Sequence, residues 1–513
     1  MKVTGLFLCA LSVTIATSQA FNLATQAFNL VASLQSQLFA MGRYIKSLTS
    51  ELMSLNSTVS KQLTASEEQI TSLNSKLGNT KKALAYMVDI FWSTCAGPVA
   101  HVYGRYLGRY SNGTVHRWTS YDSSAILSGG ITLSSDGSSL TVPAAGVYYI
   151  YGQLMLDPTS GDSSECAFGL RVNSQIVASS YTYGSKSGSV DHTKYTGVIR
   201  PLNKGDNITM QMQSTCTLNN FHHGESFLGL IFFTFSFSDI SNSAAMTYGL
   251  YSGTYSSGTL SQWGNYTFNI NQGGALYNSS GITAGTSGLY FVFGQLQFDP
   301  QSTPRCGFKL EIGSRTLSQL HIDPIGGAFD RTEYTGLVTK MSSGERLQMT
   351  SIRSCNFTNH FSYGSFIGVF YLPFQTEPAV HLLGFKGGIF ARGETLRTWG
   401  SPTINIGNVL YSSSGFTVPK RGIYYVYVQL EIDPRSGSPS QRNCGYELRT
   451  ERKIIAAAHY WRPNPNSYDR VTYTGAAALL NGGDTVSVRM KGTCYLQGEN
   501  IYVGFLGGFY LRS

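Results

Sequence analysis

The spacing of hydrophobic residues predicts a helix in the N-terminal part of the chain. From Ala24 to Phe91, apolar residues recur at alternating steps of three and four, with one repeated step of four between Val59 and Leu63. This heptad pattern is typical of a coiled coil, and the repeated step marks a stutter that locally unwinds the supercoil. We therefore expect a coiled-coil stalk over residues 21–95 that self-associates to bury its seam. The pattern leaves the number of strands in the coil open.

Beyond residue 95 the pattern changes to short β-rich runs broken by Gly, Ser, Asn and Asp, with no helical spacing. One run rich in glycine and tyrosine is written three times, as Gly146–Gln153, Gly288–Gln295 and Gly422–Gln429. A tryptophan precedes each copy, a Tyr-Thr-Gly tripeptide follows it, and an apolar run beginning with phenylalanine closes the unit. A period of about 140 residues fits whole domains rather than a solenoid.

We name the three units repeat 1 (residues 98–235), repeat 2 (246–373) and repeat 3 (378–513), and expect each to be one module. The alternation within the glycine- and tyrosine-rich run, together with the turn signals around it, predicts an antiparallel sandwich or jelly roll.

The first twenty residues read as a signal peptide. Lys2 supplies a positive charge, Leu6–Ala16 an apolar stretch, and Ser18-Gln19-Ala20 a small-x-small cleavage site. The alternative is an uncleaved anchor through residues 3–17, but that stretch is short for a bilayer. Charged residues make up 13% of the chain, which suits extracellular β-structure. We expect a secreted, extracellular protein.

Asparagine sequons fit an extracellular surface. There are six candidate glycosylation sites: Asn56, Asn112, Asn207, Asn265, Asn278 and Asn356.

Each repeat also holds two cysteines at nearly the same spacing. The pairs are Cys166 and Cys216, Cys306 and Cys355, and Cys444 and Cys494. In an oxidising compartment this regularity predicts one disulfide within each repeat. Cys95 falls outside these three pairs. It is a candidate for linking chains, the alternative being a buried free thiol. A metal site would need closer ligand pairs or histidine companions; none recur, so we expect neither metal nor cofactor.

The run from Leu140 to Ile150, with Gln153 after it, resembles the signature of the tumour necrosis factor ligand family. The corresponding run in repeat 3, from Phe416 to Tyr425, departs from that signature only in its first residue, whereas that of repeat 2 is more distant. Repeats 1 and 3 also open as the family does, at Pro98–Val102 and Pro378–Leu382. The resemblance implies an all-β protein of three tandem TNF-like jelly-roll sandwiches preceded by an α-helical coiled-coil stalk. The related C1q head shares the jelly roll and remains an alternative.

In that family, ten antiparallel strands form two sheets, and three protomers pack around an axis through aromatic residues of the inner sheet. Carried over by position, the resemblance assigns nine trimer-axis aromatics: Tyr151, Tyr195 and Phe227 in repeat 1, Phe293, Tyr334 and Phe366 in repeat 2, and Tyr427, Tyr473 and Phe505 in repeat 3. It also implies that the strands near the two cysteines of each repeat are neighbours in the outer sheet, with the disulfide crossing between them. His101 and His381 are expected to pack at a strand start.

Short linkers bear on how the repeats assemble. The segment between Phe374 and Pro378 spans at most about 15–20 Å at ~3.5 Å per residue, which is too short to stack one module above another. This favours side-by-side packing and a pseudo-trimer within one chain. The alternative is a set of three chains in which like repeats pair with like.

The resemblance implies a TNF-like ligand, or cytokine, that binds and clusters cell-surface receptors of the TNF-receptor type. The alternative function is a C1q-like extracellular adhesion or pattern-recognition protein that binds glycans or matrix. Catalysis finds no support, because no Ser-His-Asp or paired-carboxylate arrangement recurs, and His222-His223 occurs only once. We expect no nucleic-acid partner. Repeat 3 carries 15 Lys and Arg against 8 Asp and Glu and no sequon, so a sulfated glycan or acidic protein could dock there.

Overall fold

The structure, a computed structural model, describes residues 30–44 except 32, residues 69–76, and most of residues 97–512. Gaps in the last range fall at residues 105, 120–124, 158–164, 184–190, 220–223, 235–243, 265–268, 273, 300–305, 323–330, 359–362, 373–375, 385–386, 434–442, 462–469 and 499–500. The predicted signal peptide, most of the predicted stalk, Cys95, Asn56 and Asn265 lie outside the described residues. The chain divides into two compact units, Met1–Ala96 and Gly97–Ser513.

In the first unit, residues 30–44 (apart from 32) and 69–76 are helical. Three of the predicted seam residues that fall in these segments, Leu38, Ile70 and Leu73, are exposed to 40%, 46% and 43% in the single chain. Among the described residues, no helix has the length and hydropathy needed to cross a membrane.

The second unit consists of antiparallel strands. Those of repeat 1 are β1 Val99–Tyr103, β2 Leu107–Tyr110, β3 Gly113–Thr114, β4 Ile126–Ser128, β5 Thr132–Leu133, β6 Ser139–Thr141, β7 Gly146–Asp157, β8 Glu165–Val172, β9 Gln175–Tyr183, β10 Asp191–Leu202, β11 Asn207–Met212, β12 Cys216–Asn219 and β13 Phe227–Thr234. Those next along the chain are β14 Ala244–Tyr248, β15 Gly253–Tyr255, β16 Gly258–Thr259, β17 Ile270–Gln272, β18 Leu276–Asn278, β19 Gly281–Thr283, β20 Gly288–Phe298, β21 Cys306–Ile312, β22 Arg315–Ile322, β23 Arg331–Met341, β24 Arg346–Ser351, β25 Cys355–Phe357 and β26 Phe366–Tyr371.

The strands of repeat 3 are β27 Ala379–Leu383, β28 Gly388–Phe390, β29 Pro402–Ile406, β30 Leu410–Ser412, β31 Gly415–Thr417, β32 Gly422–Asp433, β33 Asn443–Arg449, β34 Ile454–Trp461, β35 Arg470–Leu480, β36 Thr485–Met490, β37 Cys494–Leu496 and β38 Phe505–Arg512. All the strand pairings described are antiparallel, as expected for an all-β jelly roll.

The strands form three sheets, and the main path of each sheet takes five strands from one repeat and five from another. The orders are β4-β1-β13-β7-β10-β34-β33-β36-β31-β30, β17-β14-β26-β20-β23-β9-β8-β11-β6-β5, and β29-β27-β38-β32-β35-β22-β21-β24-β19-β18. The first sheet therefore joins repeat 1 to repeat 3, the second joins repeat 2 to repeat 1, and the third joins repeat 3 to repeat 2. The connections close into a ring.

Only a few residues pair across each connection. His192 on β10 lies opposite Tyr460 on β34, Thr182 on β9 lies opposite Arg331 on β23, and Ile322 on β22 lies opposite Arg470 on β35. These pairings continue each half-sheet into the neighbouring repeat, so the backbone groups at this edge find partners instead of solvent.

The glycine- and tyrosine-rich run forms the central strand of each sheet, namely β7, β20 and β32. All twelve residues of β7 are buried, because both faces of the strand are covered by other parts of the protein. A strand covered on both faces reads as a nearly continuous apolar run rather than an alternating one. This double burial explains why the run is apolar at most positions in all three copies, where an alternating pattern was expected.

The three disulfides form within the repeats, with Cα–Cα separations of 5.3, 5.2 and 5.3 Å. β8 and β11 are neighbours in one sheet, as expected. The expectation that the bridge crosses between neighbouring strands of the outer sheet is wrong, however. Cys166 lies on β8, but Cys216 begins β12, which pairs with β7 in the other sheet. The bridge therefore joins the two sheets of the sandwich.

A glycine faces an aromatic ring of each central strand. Gly229 lies opposite Tyr151, and Gly507 lies opposite Tyr427. A Cβ on Gly229 would lie 2.0 Å from Cζ of Tyr151, and one on Gly507 would lie 2.3 Å from the hydroxyl oxygen of Tyr427. The rings therefore occupy the space that a side chain would need.

We predict that Gly229→Ala and Gly507→Ala each lower the free energy of unfolding by about 1–3 kcal/mol, because the added methyl overpacks the sandwich. Urea titration followed by tryptophan fluorescence measures the change. Gly113→Ala is the matched control, since its Cβ would meet nothing closer than a backbone oxygen at 3.8 Å. Equal stability of all three variants and the wild type would contradict the packing argument.

Candidate functional site

Three tyrosines, one from each repeat, meet at a buried point that we call the junction. They are Tyr195, Tyr334 and Tyr473, the tyrosines of the repeated Tyr-Thr-Gly tripeptide. Their ring centroids are 4.8 Å apart between Tyr195 and Tyr334 and 5.0 Å apart in the other two pairs. All three side chains are at most 5% exposed. The three repeats thus contribute equivalent residues to one aromatic cluster.

Hydroxyl groups connect the repeats around the junction. The hydroxyl of Tyr149 in repeat 1 lies 2.6 Å from that of Tyr334 in repeat 2, and the hydroxyl of Tyr425 in repeat 3 lies 2.6 Å from that of Tyr195 in repeat 1. Repeat 2 has Phe291 at the equivalent position, so the third contact of this kind is missing. The junction is therefore chemically asymmetric.

Burial raises the pKa of the three junction tyrosines, and of the two tyrosines that contact them, well above the usual value of 10.0. Their hydroxyls consequently stay protonated at neutral pH and can each donate one hydrogen bond. The tyrosines concerned are Tyr149, Tyr195, Tyr334, Tyr425 and Tyr473.

A second layer of aromatic residues also reaches between repeats. The hydroxyl of Tyr151 accepts a hydrogen bond from the backbone N–H of Ala477 at 2.9 Å. The hydroxyl of Tyr427 accepts one from Val338 at 2.9 Å. Phe293, the counterpart in repeat 2, has no hydroxyl to make this contact, so the same repeat again departs from the other two.

The two histidines near the strand starts complete these contacts. Nδ1 of His101 lies 3.0 Å from the hydroxyl of Tyr151, and Nδ1 of His381 lies 3.0 Å from that of Tyr427. Because each tyrosine oxygen accepts from a backbone N–H, its own proton is available to the histidine Nδ1. Burial lowers the pKa of His381 to about 3, so this ring is neutral and can accept.

The predicted phenylalanines differ from the tyrosines in their surroundings. Phe227 packs against His101, Tyr151 and Tyr195, and the described ring contacts of Phe366 and Phe505 likewise fall within their own repeats. These rings support the junction from inside each sandwich rather than across repeats.

Three equivalent glutamines bind across the repeats, and sequence reasoning did not select them as site residues. The side-chain Nε2 of each donates to one carbonyl in its own repeat and one in another. The acceptors are Glu225 (3.0 Å) and Ala457 (2.7 Å) for Gln153, Gly364 (2.8 Å) and Ser179 (2.7 Å) for Gln295, and Val503 (2.9 Å) and Gln319 (3.2 Å) for Gln429. A glutamine stands at the same position in all three copies of the run, and this recurrence could have identified these residues.

Tyr149, Phe291 and Tyr425 were also missed as junction residues. Each lies two positions before a predicted aromatic on the same strand, and side chains two positions apart share a face. That alternation could have identified them.

Polar side-chain pairs differ from one contact between repeats to the next. Lys194 of repeat 1 lies 2.9 Å from Glu333 of repeat 2. Glu225 of repeat 1 lies 2.5 Å from Lys491 of repeat 3. His321 of repeat 2 contacts Glu431 of repeat 3. Each pair of repeats is thus marked by its own polar side-chain contact.

The charges around Glu225 explain its ionisation. Burial alone would raise the pKa of this carboxyl, but the adjacent side chains of His459 and Lys491 hold it below its ordinary value. Glu225 is therefore an anion at neutral pH, and His459 and Lys491 of repeat 3 are among its partners.

A small cavity of about 20 Å³ lies where β10, β23 and β35 begin, beside the junction tyrosines. Lys194, Glu333, Arg470 and His192 line it, so residues of all three repeats meet there. Among the described residues, no group of three His, Cys, Asp or Glu side chains is arranged to hold a metal ion.

Four of the six sequons fall in the described part of the chain. Asn112, Asn207 and Asn278 are exposed, whereas Asn356 is half-buried and accepts a hydrogen bond from Thr254. Glycosylation at these positions stays a prediction.

Comparison with known families identifies part of the chain. The model of the TNF (Tumour Necrosis Factor) family matches residues 116–233, which lie in repeat 1. This part of repeat 1 is therefore similar to a TNF-family domain. Members of this family are cytokine ligands and not enzymes. No curated protein matches the chain.

We predict that Phe291→Tyr stabilises the protein by about 0.5–1.5 kcal/mol, the usual net value of one added hydrogen bond. By analogy with the two existing contacts, the new hydroxyl would reach Tyr473. The reverse change, Tyr149→Phe, removes a partner of the buried Tyr334 hydroxyl and should cost about 1–3 kcal/mol. Urea unfolding of both variants measures these changes, and a destabilising Phe291→Tyr would contradict the equivalence of the three positions.

Proposed function

We propose that this protein is a secreted TNF-like ligand that binds and clusters cell-surface receptors through a head built from its three repeats. The family match in repeat 1 supports the class of protein. The observation that carries the proposal is the ring of shared sheets, in which each repeat completes a sheet of the next. A trimeric head within one chain accounts for this arrangement.

Charge favours assembly within one chain over pairing of like repeats between chains. The residue before the junction tyrosine is Lys194 in repeat 1, Glu333 in repeat 2 and Thr472 in repeat 3. In the ring, Lys194 and Glu333 neutralise one another. A set of three first repeats would instead gather three lysines at this buried position, and a set of three second repeats would gather three glutamates. Buried like charges are strongly unfavourable.

The N-terminal helices would raise the number of receptor-binding heads in one assembly. Seam residues that are exposed in the single chain, such as Leu38 and Ile70, would be buried by copies of the same chain in a coiled coil. Cys95 could then link the chains covalently. Several heads on one stalk would bind several receptors, and the resulting avidity would exceed that of one head.

The clefts between repeats are the proposed receptor sites. Since each contact between repeats has its own pair of polar side chains, the three clefts are chemically distinct, and a receptor ectodomain would not bind them equally. A C1q-like function as an adhesion or pattern-recognition protein is the alternative outcome of the tests below.

The first test compares residues 21–513 with residues 97–513, which form one compact unit. We predict that residues 97–513 have the solution mass of one chain and that residues 21–513 form a multiple of it. Light scattering after size exclusion measures both masses. Immobilised cysteine-rich receptor ectodomains should retain the longer form roughly 100-fold more tightly, because only the longer form is multivalent.

Two outcomes would count against this proposal. A threefold mass for residues 97–513 would overturn assembly within one chain. Calcium-dependent glycan binding, without saturable binding to any cysteine-rich ectodomain, would replace the ligand function with the C1q-like one.

Repeat 3 also offers a basic patch, which we define as Arg392, Arg397 and Arg489. All three are exposed, and the Nε of Arg489 donates to the backbone oxygen of Gly393 at 2.9 Å, which brings two adjoining segments together. We propose that this patch binds a sulfated glycan through charge complementarity.

We predict that changing all three arginines of the patch to serine weakens heparin binding on the order of 10-fold, since each exposed ion pair contributes about 0.2–1 kcal/mol. Salt-gradient elution from immobilised heparin measures the effect. The control is Lys204→Ser with Lys340→Ser, two exposed lysines of the other repeats. Equal elution of the arginine variant and the lysine control would mean that heparin binds through non-specific charge and not through this patch.

A further inference from the structure

The three contacts between repeats differ at a position where two of them carry a tyrosine. Between repeats 1 and 3, the hydroxyl of Tyr103 donates to the carbonyl of Ile455 at 2.8 Å. Between repeats 1 and 2, the hydroxyl of Tyr248 donates to the carbonyl of Val177 at 2.7 Å. Repeat 3 has Leu383 at the equivalent place on its first strand. The contact between repeats 2 and 3 therefore has an apolar side chain where the other two have a phenol.

A second position, beside the disulfide, changes in the same direction. The residue opposite the one that follows the second cysteine is Arg109 in repeat 1, Thr254 in repeat 2 and Ile389 in repeat 3. All three are exposed, Ile389 to 64%. The partner strand of β28, β37, pairs with the end of β32, where Glu431 meets His321 of repeat 2. Ile389 therefore borders the contact between repeats 2 and 3.

A third exposed apolar residue, Ile501, lies beside the same contact. Its side chain is 55% exposed. It precedes Tyr502, whose carbonyl accepts a hydrogen bond from the backbone N–H of Gln319 in repeat 2 at 3.0 Å. Counted back from the phenylalanine that opens the closing apolar run, the same position holds His223 in repeat 1 and Ser362 in repeat 2. Repeat 3 is again the one with an apolar residue.

These apolar residues are close enough for one partner to cover them. A Cβ on Gly384, the residue after Leu383, would lie 3.4 Å from Cγ2 of Ile501. The chain from Gly384 to Ile389 spans at most ~17 Å at ~3.5 Å per residue. A protein–protein interface of standard size covers a patch roughly 30 Å across on each partner. A single protein surface can therefore contact Leu383, Ile389 and Ile501 together.

The coincidence of three changes in one repeat distinguishes this surface from ordinary exposure. Single exposed apolar residues are common on protein surfaces, but here three equivalent positions are apolar in repeat 3 and polar in both other repeats. The residue opposite Ile389 is Tyr495, whereas its counterpart in repeat 2 is Asn356, a candidate glycosylation site. Apolar residues grouped beside polar contacts are typical of a binding surface.

We propose that the contact between repeats 2 and 3 is the one receptor site of each chain, and that Leu383, Ile389 and Ile501 bind apolar side chains of the receptor ectodomain. This inference rests on the proposed ligand function and specifies which of the three clefts the receptor uses. One chain then binds one receptor, and clustering of receptors depends on association of chains through the stalk.

The number of receptors per chain tests the single site. Residues 21–513 are titrated by calorimetry with a soluble, monomeric form of a cysteine-rich ectodomain that retains them on a surface. We expect one ectodomain per chain, whatever the number of chains in the assembly. Three ectodomains per chain would overturn the inference while leaving the ligand function intact.

Matched variants at equivalent positions identify the cleft. Ile389→Thr and Ile501→Ser introduce the residues of repeat 2, and each should weaken binding about 10-fold, as expected for a side chain at the centre of an interface. Arg109→Thr and Thr254→Arg make comparable changes at the other two contacts and should leave the affinity unchanged. Because these side chains are exposed, urea unfolding should show all four variants to be as stable as the wild type. An equal or larger loss of affinity in the two control variants would overturn the inference.

Failure of the inference and failure of the ligand function give different results. Undiminished binding of Ile389→Thr and Ile501→Ser to an ectodomain that binds the wild type would overturn the choice of cleft alone. If no cysteine-rich ectodomain binds the wild type, the ligand function is overturned and this inference with it.

Discussion

The structure depends on the burial of its three central strands on both faces. β7, β20 and β32 are covered on one side by their own sandwich and on the other by neighbouring repeats, and their aromatic side chains meet there. A single repeat would leave this second face, with Tyr149, Tyr151 and Tyr195 in repeat 1, open to water. Aromatic residues carry large apolar areas, so such a repeat would lose much of its core. Each repeat therefore needs the other two for a stable fold, and the shared sheets are the contacts through which the repeats meet this need.

Polar groups specify the order in which the repeats meet. The apolar rings alone are similar in all three repeats and would tolerate any arrangement. Charged residues such as Lys194 and Glu225 find their partners only when the right repeats adjoin. Since an unpaired buried polar group costs more than a paired one contributes, these contacts discriminate against wrong arrangements more than they stabilise the correct one.

Most of the correct predictions came from residues that recur in all three repeats of the sequence. Equal spacing was enough to pair the cysteines, and the Tyr-Thr-Gly tripeptides located Tyr195, Tyr334 and Tyr473, which the structure brings together. Features without threefold recurrence could not be located in this way. The Lys194–Glu333 contact joins different residue types at equivalent positions, so a search for repetition overlooks it. The bridge from Cys166 to Cys216 was assigned to the wrong pair of strands because the short strand β12 follows β11 closely and turns to the other sheet.

The ring of shared sheets also has a consequence for biosynthesis. The half-sheet of repeat 1 that ends in β10 is completed by β34, so it waits until repeat 3 has been made. Contacts so distant along the chain are slow to form. Until then the nascent chain presents an unpaired strand edge, which is prone to aggregate. Secretion, as proposed above, would thus call for a folding compartment that shields incomplete chains, and any truncation before residue 454 would leave a product that such a compartment retains.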